Sequence, residues 1–333
     1  MTPCHPQQLE RSLQQLPVSG LSSRLRQNET LNLFNKRVIL VTGKGGVGRT
    51  TVSAALAKAA TQSGKRVLLA EIGVPGGDYT PLARFFDRET FDAEPTTIGP
   101  NLKACVLYSR SGHELFLHKV LPINTLVKAA VRSKALSRLL DSAPSFNEMG
   151  VFYHLLNLLR AKHQDGGNAH DLIIVDMPAT GHTLALTALP ESLLQLLPVG
   201  PIADELKEGQ HYLNNPETGA ALVVTLPEPL PITERLELID GLQDTNMPVA
   251  GVLVNRLMHD EFTPEEREAL SPLVSSTPVF GRGRYLSLLD HRKSLERVTA
   301  KANVPILIVP DFAESDDQLL IESIAETLLQ RVS

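Results

Sequence analysis

The sequence predicts an α/β fold: a doubly wound, mostly parallel sheet with a helical insertion. Three observations carry this. Short β-branched apolar runs alternate with helical stretches along most of the chain, the pattern of strands covered on both faces by crossover helices. A glycine-rich loop at residues 43–51 lies between the first apolar run and the first helix. A later run, Leu172-Ile173-Ile174-Val175, ends in the carboxylate of Asp176, at the strand edge where open parallel sheets bind ligands.

Residues 1–36 are polar and rich in Gln, Ser and Arg, with Leu9, Leu13, Leu16 and Leu21 spaced for a short helix. They read as an N-terminal extension, flexible or packed onto the body, and residues 37–333 as the domain. Val38-Ile39-Leu40-Val41 is the first buried strand. The Ala-rich residues 51–60 form the first helix, and residues 65–70 and 102–107 supply the next two strands. Residues 113–163 place Leu, Val and Ala at three- and four-residue spacings. The helical stretch from about 108 to 165 is too long for a simple crossover and reads as an insertion. Later strands fall at 172–175, 221–225, 249–254 and 305–309. Thr263-Pro264-Glu265-Glu266 starts a helix with an N-cap Thr, Pro at the first position and Glu at the third. Ser315-Asp316-Asp317-Gln318 repeats the capping box before the last helix.

The 333 residues suit one large domain or two ordinary ones. With 42% hydrophobic and 21% charged residues, the composition excludes a wholly disordered chain. A net charge of -5 argues against a surface given over to nucleic acid. The two cysteines, Cys4 and Cys105, lie far apart, which excludes a disulfide scaffold and a CxxC zinc clamp and suits a reducing cytoplasm. Apolar runs fall short of the ~18–20 residues of a membrane span. The opening Met-Thr-Pro-Cys-His-Pro lacks a basic segment followed by an apolar one, so no signal peptide is expected.

The strongest chemical signal is Gly43-Lys44-Gly45-Gly46-Val47-Gly48-Arg49-Thr50-Thr51. Between a strand and a helix, such a loop turns successive backbone N–H groups inward around a phosphate, and the helix N-terminus adds its dipole. Thr50 is placed for Mg²⁺ and Thr51 for the α-phosphate. Arg49 stands where the pattern GxxxxGK[ST] has Lys. A planar guanidinium holds phosphate but places its charge differently from a compact ammonium, so binding is the firmer inference and turnover the weaker.

Lys44, early in a KGGxG sequence, resembles the deviant Walker A motif of the dimeric ATPase class that includes MinD, ParA and the arsenical-pump ATPases. In that class this Lys reaches the nucleotide of the facing subunit. The resemblance therefore implies a P-loop NTPase that forms a face-to-face dimer with ATP at the interface. Asp176 takes the Walker B place, holding Mg²⁺ through water. Met177-Pro178-Ala179-Thr180-Gly181-His182-Thr183-Leu184 resembles the switch II segment of the arsenical-pump and tail-anchored-protein-targeting ATPases. By that resemblance Gly181 approaches the γ-phosphate and His182 has a switch role.

The likeness continues through Leu197–Asp204, Val224–Glu228 and Gly251–Asn255 and covers roughly residues 37–311. It assigns adenine recognition to Asn255, whose amide both donates and accepts, and closure over the base to the Pro310-Asp311-Phe312 loop. Pro144-Ser145-Phe146-Asn147-Glu148 is similar to the family's P-G-x-D/N-E segment, which makes Glu148 a structural or interface acid.

This chain departs from the family at switch I. An ungapped comparison puts Gly73 where the water-activating Asp of D-P-A-H would sit. Glu71 lies two residues earlier, where MinD-like members also carry an acid, and Asp78 substitutes only if the loop shifts. A missing acceptor near the water slows hydrolysis. The zinc CxxC of eukaryotic targeting factors and the pump's arsenite cysteines have no counterpart, and Cys105 reads as buried.

Residues 118–140 combine apolar spacing with Lys119, Lys128, Arg132, Lys134 and Arg138. They read as a solvated basic face, or as a surface for a client, an anionic membrane or a partner subunit. Residues 183–203, rich in Leu, Pro and Ala, read as core, dimer interface or client groove, and the basic, mobile-looking segment 281–284 takes no role. The resemblance thus implies a cytoplasmic ATPase binding ATP and Mg²⁺. It would act as a homodimer, or a heterodimer with a paralogous ATPase, to regulate a protein client. The alternative, motivated by Arg49 and Gly73, is a nucleotide-binding subunit that does not hydrolyse and pairs with an active paralogue.

Overall fold

The computed structural model describes residues 31–73, 80–120, 146–178, 180–276, 278, 280–301 and 303–333. Its centre is an eight-stranded sheet: β1 (Val38–Gly43), β2 (Val67–Ile72), β3 (Thr96–Gly99), β4 (Leu102–Leu107), β5 (Leu172–Asp176), β6 (Gly219–Thr225), β7 (Val249–Leu257) and β8 (Ile306–Pro310). The spatial order is β3-β4-β2-β5-β1-β6-β7-β8. Every pairing is parallel except β3 with β4. The central strands β1, β5 and β6 are buried on both faces, which accounts for their unbroken apolar runs.

Two apolar layers sandwich the sheet. On one face lie α1 (Arg49–Gln62) and the C-terminal helix α9 (Asp317–Leu329). On the other lie α3 (Phe146–Arg160), α4 (Thr180–Leu196), α5 (Pro201–Asn214), α6 (Pro229–Asp244) and α8 (Arg282–Lys301). The row Ala54, Ala55, Ala57, Ala59 and Ala60 is fully buried, and side chains this small let α1 lie close on the strands. α2 (Ser109–Val120) packs on α3, and α7 (Pro264–Ser276) precedes α8.

The chain reaches β1 first, then places β2 and β4 to one side, returns with β5, and passes over β1 to β6, β7 and β8. The connections therefore diverge at the C-terminal end of β1, the switch point where doubly wound sheets bind ligands.

Several expectations shift in detail. β3 went unanticipated, and the box before α9 is built on Asp316, whose carboxylate accepts from the Gln318 and Leu319 N–H groups, rather than on Ser315. The box at Thr263 is as expected: its N–H donates to Glu266, and the Glu266 N–H donates back to its hydroxyl. Within the helical stretch expected over about 108–165, the described helices are α2, which starts at Ser109, and α3, which ends at Arg160; beyond it Lys162 and Asn168 pair across a short turn. Residues 281–284 open α8 rather than forming a mobile loop. Cys105 is buried on β4, where burial pushes its thiol up to about 12. Cys4, Asp78, residues 1–30 and most of the basic stretch at 118–140 lie outside the described residues.

Candidate nucleotide site

β1 delivers the chain into the loop at Gly43. A Cβ there would stand 2.3 Å from the Val224 carbonyl oxygen on β6, so only glycine lets the strand end this close to its neighbour. Gly48, at φ 90°, is the left-handed N-cap of α1 and has no side-chain cap. The first N–H groups of α1 are thus left facing the loop, which is what a bound anion requires. Lys44, Gly45 and Gly46 are exposed at the rim, Val47 is buried, and Thr51 is packed at the start of α1.

Arg49 turns inward. Its Nη1 is buried and meets no acceptor among the described residues. Burial pulls its pKa below the ordinary value and Asp176 works against that shift. A buried donor of a cationic group without an acceptor fits an anionic ligand in the loop.

Asp176 ends β5 beside β1, in register with Val41, and Met177 N–H donates to the Val41 carbonyl at 3.0 Å. Its carboxylate is 8% exposed, accepts from Ser53 Oγ at 3.3 Å, and hydrogen-bonds the Thr50 side chain. Burial pushes it up to about 6 despite these donors and Arg49. A carboxylate beside a Thr hydroxyl is an oxygen donor set suited to Mg²⁺.

On the other side of β5, Glu71 of β2 is in register with Asp176. It is 5% exposed; one oxygen accepts from Leu82 N–H at 3.1 Å and the other is buried without a partner among the described residues. Burial, reinforced by Asp176, raises it to about 7 against the Leu82 hydrogen bond. A Cβ on Gly73 would come within 2.5–2.6 Å of the Tyr108 ring and 2.7 Å of Val106. Tyr108 thus occupies the space that an acid at this position would need.

Gly181 and His182 are exposed at the start of α4, and a Cβ on Gly181 would meet only open space. His182 Nδ1 lies 3.2 Å from Glu148 Oε1 on α3. Thr183 is fully buried, its hydroxyl 2.8 Å from that of Thr42 at the end of β1. The structure therefore brings the partly buried Arg49 and Thr50 to the buried Asp176, with Glu71 in register beside it, and leaves Lys44, Gly181 and His182 at the surface.

Asn255 is buried near the end of β7, with its amide nitrogen on the Val47 carbonyl at 2.9 Å. Pro310 is in register with Leu257, and Asp311 N–H donates to the Leu257 carbonyl at 2.9 Å, which brings that loop to the same end of the sheet. Sequence reasoning missed Thr42 and Ser53, isolated hydroxyls that carry no motif, and gave Thr183 no role beyond its place in the switch II-like run.

A sequence profile of the anion-transporting ATPases matches residues 36–200, from the start of β1 to the end of α4. Residues 36–200 thus belong to the anion-transporting ATPase family. It is 27% identical over 239 residues to the ATPase BagA of Mycobacterium tuberculosis, covering 70% of this chain and 69% of that protein. It is 26% identical over 269 residues to the ATPase GET3 of Kluyveromyces lactis, covering 71% and 76%. With the ATPase GET3 of Candida glabrata the identity is 27% over 262 residues, covering 68% and 74%. ATP binding and ATPase activity are thus properties of this family. Among the described residues no helix is long and apolar enough to cross a membrane.

Proposed function

We propose that this family member binds Mg-ATP in the loop at residues 43–51 and uses it as a conformational switch. The observation that carries the reading is the buried Nη1 of Arg49, which has no acceptor among the described residues, at the phosphate end of the loop. Arg49 and the loop amides hold the β- and γ-phosphates, Thr51 the α-phosphate, and Asn255 with the Pro310–Asp311 turn the base. Thr50 and Asp176 hold Mg²⁺, which when bound neutralises phosphate charge. Gly181 and His182 lie in the segment that senses the γ-phosphate. Lys44, exposed on the rim, faces a second subunit, so that ATP closes a dimer and its loss reopens it.

Residues 37–333 are one ATPase domain with the insertion at 108–165, residues 1–36 an extension, and the setting cytoplasmic. The client is a protein that meets the segment around Leu196, Leu197 and Val199, which are 76%, 46% and 82% exposed.

A second reading has its own observation. Tyr108 fills the space beside Gly73, and the Lys of the standard loop is Arg49. On this reading the chain binds nucleotide without hydrolysing it and pairs with an active paralogue. Steady-state Mg-ATP hydrolysis, with equilibrium binding alongside, separates the two. Turnover by the isolated protein supports the switch. Tight binding without turnover supports the partner subunit. An Asp176→Ala protein that binds Mg-ATP as well as wild type removes the Mg²⁺ assignment.

A further inference from the structure

Asn255 makes two hydrogen bonds, one that ties β7 to the phosphate loop and one within β7. Its Nδ2 donates to the Val47 carbonyl at 2.9 Å, and its Oδ1 accepts from the Arg256 N–H at 3.0 Å. Both partners demand the same placement of oxygen and nitrogen in the amide. Arg256 sits at φ 56°, and the pairing of β7 with β8 shifts register between Val254 and Leu257. The strand is therefore bent where Asn255 projects. Space on the loop side is cut to match: a Cβ on Gly48 would stand 2.4 Å from Asn255 Nδ2.

We infer that Asn255 is a positioning residue for the phosphate loop, a latch that fixes the Val47 carbonyl and with it the orientation of the neighbouring amides. This rests on the reading of residues 43–51 as the phosphate site. With Nδ2 on Val47 and Oδ1 on Arg256, one amide hydrogen and one lone pair remain for a base. The latch therefore acts on any ligand that carries the phosphates, whatever its base. A residue that only reads adenine acts on ATP alone.

The test compares wild type with Asn255→Ala and Asn255→Asp. The Asp variant keeps an acceptor for Arg256 but sets an oxygen against the Val47 carbonyl. Binding is measured by displacement of a fluorescent ATP analogue with ATP, GTP and inorganic tripolyphosphate, and hydrogen exchange is followed at the amides of residues 44–49. A latch predicts that both variants lose about tenfold for all three competitors together, the scale of one lost hydrogen bond. It also predicts faster exchange in the loop without nucleotide. Unchanged tripolyphosphate affinity with a collapsed preference for ATP over GTP overturns it. If wild type binds none of the three, the nucleotide reading fails, and the exchange comparison alone decides the latch: unchanged protection refutes it. Thermal melts control for folding, and the Asp variant carries the comparison if the Ala variant unfolds.

Discussion

Glu71 and Asp176 stand opposite one another on neighbouring parallel strands, two buried carboxylates in register at the loop end of the sheet. Side chains alternate along a strand, so residues in register on adjacent strands share a face. Both carboxyls sit on the face covered by α1, among positions equivalent to Leu69 and Ile174. Neither has a basic residue as a salt-bridge partner within the described residues. Folding thus sets two acidic side chains side by side where a cation would be held.

The pair makes apo stability depend on pH. Burial raises Asp176 from 3.8 to about 6 and Glu71 from 4.5 to about 7. The folded chain therefore keeps protons that the unfolded chain has released. Their contribution is complete below about pH 4 and is lost as pH rises through about 6 and about 7. Glu71→Gln should remove much of this slope. Relative to wild type it should gain on the order of 1–2 kcal/mol between pH 5 and pH 8. Urea titrations without nucleotide at the two pH values check this; a constant difference would refute it.

Arg49→Ala should weaken ATP binding by roughly 10- to 100-fold, the scale of a charge-assisted hydrogen bond. It should leave the apo protein as stable as wild type or more so, because it removes an unpartnered buried donor. Calorimetric titration and a thermal melt measure the two effects. Loss of stability with unchanged ATP affinity would assign Arg49 to structure instead.

Gly73→Asp should not simply restore the acid of switch I. Its Cβ would collide with the Tyr108 ring, so the single variant should lose about 1–3 kcal/mol by overpacking and gain no turnover. Gly73→Asp with Tyr108→Ala should regain stability relative to the single variant. A double-mutant cycle in urea reports the coupling between the two positions.

Gly150→Ala should be more damaging than an ordinary glycine substitution. Its Cβ would lie 2.1 Å from the Ser109 carbonyl oxygen, and a Cβ on Gly112 would lie 1.7 Å from the Gly150 carbonyl. Backbone meets backbone where α2 crosses α3, so no side chain can yield. Separation of the helices should cost about 1–3 kcal/mol or more, read as a lower urea midpoint with an unchanged slope.

Much of this architecture is legible in local sequence. The strands from β1 to β8 that form the parallel body announce themselves because burial on both faces requires continuous apolar runs. β3 does not, because Thr96-Thr97-Ile98-Gly99 pairs along one edge only, and half of it is exposed. The phosphate loop and Asp176 were visible because their geometry fixes residue type at fixed spacing. The Thr42–Thr183 hydroxyl pair and the Ser53 contact with Asp176 were not, because residues 141 and 123 positions apart meet only through topology. Asn255 was legible as a site residue by resemblance, but its hold on Val47 spans 208 positions and leaves no local trace.

At the other end of the sheet, Leu31 lies beside Val332 in a parallel bridge. Its N–H donates to the Arg331 carbonyl, and Ser333 N–H donates to its own. Leu33 and Phe34 are buried in the same layer. During synthesis the segment 31–34 emerges some three hundred residues before its partner. Until Val332 leaves the ribosome, this seam stays open, and the apolar underside of α1 waits for α9 to cover it. The nascent chain therefore carries an uncovered apolar flank until its synthesis reaches α9.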